Sequence, residues 1–193
     1  VRRLARAIAA AVALTAALVR LPVEGASFAL SDKERQDALR IGERSIVSET
    51  FGDEWRVGSG AGENVLVFTP FHRLALAARN AAFKNEPFKP GDQDKLLQEV
   101  KDKVMLWVQL KGPSADFARH LRPRLVVSDR EISPTTVQNE RTGARQDDGR
   151  FLARCVYWFP TRDITGTSRV ELVIKDPDDR PVARFPIDLA RMR

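Results

Sequence analysis

Three consecutive segments between residues 151 and 189 each carry a strand pattern with a legible turn between them, and this run limits the fold more than any other stretch. Along Phe151 to Phe159 the odd positions Phe151, Ala153, Cys155, Tyr157 and Phe159 share one face, and Leu152, Arg154, Val156 and Trp158 share the other. One face is wholly apolar and the other nearly so, the pattern of a central strand covered above and below. The next two segments alternate cleanly: Val170, Leu172 and Ile174 oppose Arg169, Glu171 and Lys175, then Ala183, Phe185, Ile187 and Leu189 oppose Arg184 and Asp188. Asp176-Pro177-Asp178-Asp179-Arg180-Pro181 joins them as a hairpin turn, with proline preset for the bend. The expected architecture is α+β, mainly an antiparallel immunoglobulin-like β-sandwich, with an inserted helical hairpin and an N-terminal helix.

The first residues differ in character from the rest. Arg2, Arg3 and Arg6 precede the apolar run Ala7 to Val19, and Ser27-Phe28-Ala29 supplies small residues before Leu30, the layout of a secretory signal peptide over residues 1–29. Arg20 ends the apolar run short of the roughly 20 residues a bilayer span needs. The expected mature domain is 30–193, divided into an N-terminal helix with short strands (30–63), a helical hairpin (69–103) and the sandwich portion (104–193). Setting residues 1–29 aside removes four arginines and one glutamate, so the formal charge falls from +6 to +3. That modest, dispersed balance, without basic runs interleaved with aromatics, gives no reason to expect nucleic acid as a partner. The single cysteine, Cys155, excludes an internal disulfide, and its apolar neighbours place it in the core.

After the leader, Ser31-Asp32-Lys33-Glu34 has capping-box spacing and starts a helix running to about Arg40 or Ile41. Ser45 to Val57 reads as two short strands around a turn at Phe51-Gly52-Asp53. The glycines of Gly58-Ser59-Gly60-Ala61-Gly62 lead into a strand, Val65 to Phe68, so they make a hairpin loop; a phosphate loop would have to open a helix, and the spacing is not that of a nucleophile elbow. Thr69-Pro70 caps and opens the next helix, with Phe71, Leu74, Ala75, Ala78 and Ala82 as its stripe. Asp92 caps another, with Leu96, Leu97 and Val100 inward. Val104 to Leu110 is a strand, Asp116 to His120 a turn of helix, and Leu125 to Ser128 and Ile132 to Val137 are weaker strands that Pro123 and Pro134 mark as edges or irregular. Because the strand 151–159 needs cover on its second face, the alanine stripe is expected to lie on the sheet near Val156 and Trp158.

No coherent catalytic set emerges. His72 and His120 sit on different elements without metal-ligand spacing, and Asp116 with His120 is a surface pair at helical spacing. No cofactor motif is present. In a sandwich the loop after Val137 and the turn after Lys175 share one end, so Asp147, Asp148, Asp176, Asp178 and Asp179 are weak calcium candidates. Arg141, Arg145, Arg150 and Arg180 on the same loops favour charge pairing instead.

These features point to an exported, non-catalytic binding or assembly module of the bacterial cell envelope, periplasmic or secreted, acting through contacts with another envelope protein and without a stable transmembrane anchor once the leader is removed. Its candidate contact surface is Met105, Trp107, Leu152, Val156 and Trp158, wherever the helices leave these otherwise core-like residues uncovered. The alternatives are a periplasmic chaperone-like protein that receives a client strand on a free sheet edge, and a small exported hydrolase built around one of the histidines.

Overall fold

The structure, a computed structural model, describes residues 25–58 and 62–193. Most of the expected leader and the middle of the glycine-rich loop, residues 59–61, lie outside the described residues. Two antiparallel sheets face each other. The larger holds β1 (Arg56–Gly58), β2 (Asn64–Phe68), β3 (Lys103–Gly112), β8 (Phe151–Pro160) and β6 (Thr136–Gln138) in that order, with β7 (Ala144–Arg145) also on β8; the smaller runs β10 (Pro181–Asp188), β9 (Arg169–Lys175), β4 (Arg122–Val127), β5 (Arg130–Ile132). The alternation read from the sequence sets their inner faces. Leu106 and Val108 of β3 and Cys155, Tyr157 and Phe159 of β8 are buried with Leu125, Leu172, Ile174, Phe185 and Ile187 of the facing sheet.

The chain crosses between sheets inside one expected strand. Ile132 to Val137 is two strands, β5 in the smaller sheet and β6 in the larger, with Pro134 in the crossing. Proline has no amide to donate to a ladder, so a change of partner there loses little. Pro123 lies in β4 opposite Ile174 of β9, beyond the reach of β5, which ends at Ile132 opposite Leu125. Ser45 to Val57 also departs from expectation: turns lead to a short 3-10 helix, Asp53–Trp55, and only β1 is a strand.

Three helices complete the described fold. α1 (Asp32–Arg44) begins in the expected capping box, where Glu34 N–H donates to Ser31 Oγ at 3.3 Å and Ser31 N–H to Glu34 Oε2 at 2.6 Å. It continues past Ile41 because Gly42 is a contact residue, not a stop. α2 (Pro70–Phe83) has the expected Thr69 cap, and α3 (Pro90–Glu99) opens at Pro90 after Lys89, with Asp92 in its first turn and not at its cap. The stripe of α2 packs on α1, not on the sheet near Val156 and Trp158. A Cβ on Gly42 would lie 2.2 Å from the Ala75 carbonyl oxygen and 2.8 Å from Ala78 Cβ, so the two helices meet almost backbone to backbone. The expected cover for the second face of β8 is therefore absent.

Residues 25–29 belong to the fold although the expected leader includes them. Ala26 is buried, its N–H donates to the Leu189 carbonyl at 3.0 Å, and a Cβ on Gly166 would sit 1.8 Å from the Ala26 carbonyl oxygen. No helix among the described residues is long and apolar enough to cross a membrane.

Candidate functional site

The two outer faces of the sandwich have opposite chemistry. On the smaller sheet, alternation sends charged residues outward and they pair across strands: Arg184 with Glu171 at 2.8 Å, Lys175 with Glu131 at 2.9 Å, Arg169 with Asp188 at 3.5 Å and Arg124 with Glu131 at 3.7 Å. Val173, the outward apolar residue of β9, is still buried; its cross-strand neighbours are Arg184 and Arg124, a residue type whose aliphatic stem can cover apolar surface.

The outer face of the larger sheet carries apolar rows instead. The register aligns Leu66, Trp107, Val156 and Gln138 in one row, and Phe68, Met105, Trp158 and Thr136 in the next. Trp107 is 40% exposed, while Leu66, Met105, Val156 and Trp158 are half-buried. α2 reaches these rows at Phe68, which is buried under the ring of His72; the main packing of α2 and α3 otherwise runs to α1, to β2 and to each other. Thus four of the five residues expected at a contact surface, Met105, Trp107, Val156 and Trp158, adjoin one another on one uncovered face. Leu152 is on the same face but apart, opposite Lys111 and Ala144 and separated from Val156 by the exposed Arg154. Leu66 joins the patch, and the sequence reading missed it because a five-residue strand does not reveal which neighbour it will take.

An aromatic series fixes one side of the patch. The His72 ring stacks on Trp55 with centroids 4.2 Å apart and on Phe68 at 4.7 Å, and Phe68 meets Trp107 at 6.3 Å. His72 Nδ1 lies 3.0 Å from the Val67 carbonyl oxygen, which can only accept, so Nδ1 carries the proton. Burial, opposed in part by that hydrogen bond, pushes the imidazole pKa down from 6.5 to about 4. This histidine is a packed neutral ring with neither an acid nor a serine beside it.

His120 is exposed and makes no hydrogen bond among the described residues, while Ser114 Oγ donates to Asp116 Oδ1 at 2.8 Å. The serine thus engages the acid and not the imidazole, the reverse of what a nucleophile needs. His72 stands on α2 and His120 in the turn that follows β3.

Four of the five acids weighed for calcium pair with cations of the chain. Asp148 accepts from Lys111 Nζ at 2.9 Å and from the Arg150 N–H at 3.0 Å, contacts that hold its carboxyl below the usual range. Asp176 closes the β9–β10 hairpin by accepting from the N–H groups of Asp178 and Arg180, both at 2.9 Å, and from Arg180 Nε at 3.0 Å. Asp178 pairs with Arg180 and Asp179 with Lys175. No metal-binding group of three or more His, Cys, Asp or Glu side chains forms among the described residues, and Asp147 adds none.

A second surface feature opens beside the free edge of β6. A shallow cleft of about 600 Å³ is lined by Arg119, His120, Val137, Asn139 and Arg141. Asn139 fixes its floor: it accepts from the buried Tyr157 hydroxyl at 2.9 Å and donates to the Leu121 carbonyl at 2.8 Å.

No family model matches the chain, and no curated protein matches it either. Among solved structures, a novel protein of unknown function from Burkholderia pseudomallei is similar with a TM-score of 0.43 at 11% identity, over 84% of this chain and 91% of that one.

Proposed function

We propose that this chain is an exported, non-catalytic binding or assembly module of the bacterial cell envelope, periplasmic or secreted, and that it works through contacts with another envelope protein. The sandwich is read as immunoglobulin-like, a class of scaffold that presents faces and edges to partners. The supporting observation is the contrast between the two outer faces. One is laced by cross-strand ion pairs, while the other leaves Leu66, Met105, Trp107, Val156 and Trp158 wholly or partly exposed in adjoining rows. Removing apolar area from water is worth about 25 cal/mol per Å², and aromatic anchors tend to dominate interface energies, so docking there gains what folding has left exposed.

The test places a photo-crosslinking amino acid at Trp107, and separately at Arg184 on the charged outer face, in the protein expressed in its native envelope. One specific adduct from position 107, absent from position 184 and lost in a Val156→Glu background with an unchanged melting temperature, is the expected result. Equal or no adducts from the two positions would sink the reading.

A further inference from the structure

We propose that the cleft along β6 is an acceptor for an extended acidic peptide segment, which adds to the free edge of the larger sheet and places its carboxylates between Arg119 and Arg141. The cleft stands apart from the apolar face. In the sheet order β6 pairs with β8 on one side and with no described strand on the other, which leaves backbone donors and acceptors along its edge. All three β6 residues are exposed. Val137 lies opposite the buried Tyr157 on the inward side, yet it is 44% exposed and lines the cleft. A side chain opposite Val137 on an added strand would sit about 5 Å from it and point to the same side. It would therefore enter the cleft that Arg119, His120 and Arg141 line.

Charge selects the occupant. Neither Arg119 nor Arg141 has a carboxylate within ion-pair distance among the described residues, whereas thirteen other ion pairs form. The nearby acids hold other hydrogen bonds, Glu140 from the Arg154 backbone N–H and Asp116 from Ser114; Asp116 still feels the charge of Arg119, which helps to hold its carboxyl below the usual range, so Arg141 is the less compensated of the two arginines. Arginine forks suit paired carboxylate recognition. A second copy of this chain is a poor occupant, since pairing β6 with β6 would bring four arginines together. The cleft is also prebuilt, because Asn139 ties it to Tyr157 and Leu121 and the Gly143 N–H donates to the Ala115 carbonyl at 2.7 Å.

The experiment titrates the isotopically labelled protein with a capped peptide of alternating Glu and Val, its Lys and Val counterpart, and inorganic phosphate, following backbone amides by NMR. The expected result is saturable movement of the Thr136, Val137 and Gln138 amides with the Glu peptide, tenfold or more weaker with the Lys peptide. Arg119→Glu combined with Arg141→Glu is expected to reverse that preference; should the pair fail to fold, Arg141→Gln alone is expected to weaken Glu-peptide binding at least threefold. Absence of binding, equal affinity for both peptides, insensitivity to the arginine variants, or phosphate reproducing the same shifts at the same affinity would each overturn the strand-acceptor assignment. Val156→Glu is expected to leave this titration unchanged, which separates it from the apolar face.

Discussion

His72 shows how one residue type changes role with its surroundings. An imidazole offers catalysis or metal binding only if its protonation can change near neutrality or a ring nitrogen reaches a reactant. Here Trp55 and Phe68 stack on the ring and the Val67 carbonyl accepts the Nδ1–H hydrogen bond, which sets the tautomer, while burial favours the neutral form. The pKa falls from 6.5 to about 4 on folding, so between those values the unfolded chain binds the extra proton. The contribution of neutral His72 is complete above pH 6.5, is lost as pH falls toward 4, and does not change further below that. A shift of this size corresponds to about 3 kcal/mol. Urea unfolding at pH 7 and pH 4 is expected to show that loss in the wild type beyond the loss in His72→Asn, with His120→Ala behaving like wild type. An NMR titration placing the His72 midpoint near 6.5 would contradict the assignment.

At the scale of elements, the strands of the sandwich were legible because burial imposes a period of two and turn residues mark the limits. β8, β9 and the hairpin at Asp176 fall where alternation puts them, and β10 does so up to Asp188; Leu189, expected as its last inward residue, instead opens a 3-10 helix capped by the Asp188 side chain. The capping box at Ser31 and the Thr69-Pro70 start were legible for a similar reason, since each satisfies free helix amides with residues adjacent in sequence. Pairing between distant elements was not legible. An alanine stripe fits a helix as well as a sheet, and only Gly42 on α1 decides between them by allowing the close approach to Ala75 and Ala78. The contact patch shares this limit: its residue types were visible, but whether anything covered them depended on where α2 went. The cleft by β6 was missed because its residues belong to a turn, a loop and half of a strand that changes sheets. The helix contact makes two glycines diverge. Gly42→Ala improves helix propensity by up to about 1 kcal/mol, yet its Cβ has no room, and the net effect expected is a loss of about 1–3 kcal/mol. At Gly91 of α3 a Cβ meets nothing within 4 Å, so Gly91→Ala is expected to be neutral or mildly stabilising. Urea midpoints at unchanged slope measure both, and a stabilising Gly42→Ala would mean that the helices are farther apart.

The whole molecule is tied together where segments distant in sequence meet, and residues 25–29 take part in that closure. The Ala26 N–H reaches Leu189, Gly25 and Ala26 lie against the Gly166 backbone, and Trp55 Nε1 and Thr69 Oγ1 both donate to the Arg193 main-chain oxygen, at 2.7 and 2.6 Å. Arg193 in turn holds Glu54 through both carboxylate oxygens. A cut before Leu30 would expose the contact of Gly166 and leave the Leu189 carbonyl without its partner. Such a buried loss costs about 2–4 kcal/mol, as a vacated core site and an unmade hydrogen bond together do. A chain starting at Gly25 is therefore expected to melt about 5 °C or more above one starting at Leu30, given how stability maps onto melting temperature for a chain of this size. If the basic and apolar opening of the chain directs export, the cut that suits this fold lies on the N-terminal side of Gly25, leaving Ala26 in place. N-terminal sequencing of the exported protein decides the matter together with the melting comparison. A mature terminus at Leu30, with stability equal to the longer chain, would mean that Gly25 to Ala29 add nothing to the fold and that the contacts of Gly166 and Leu189 are dispensable.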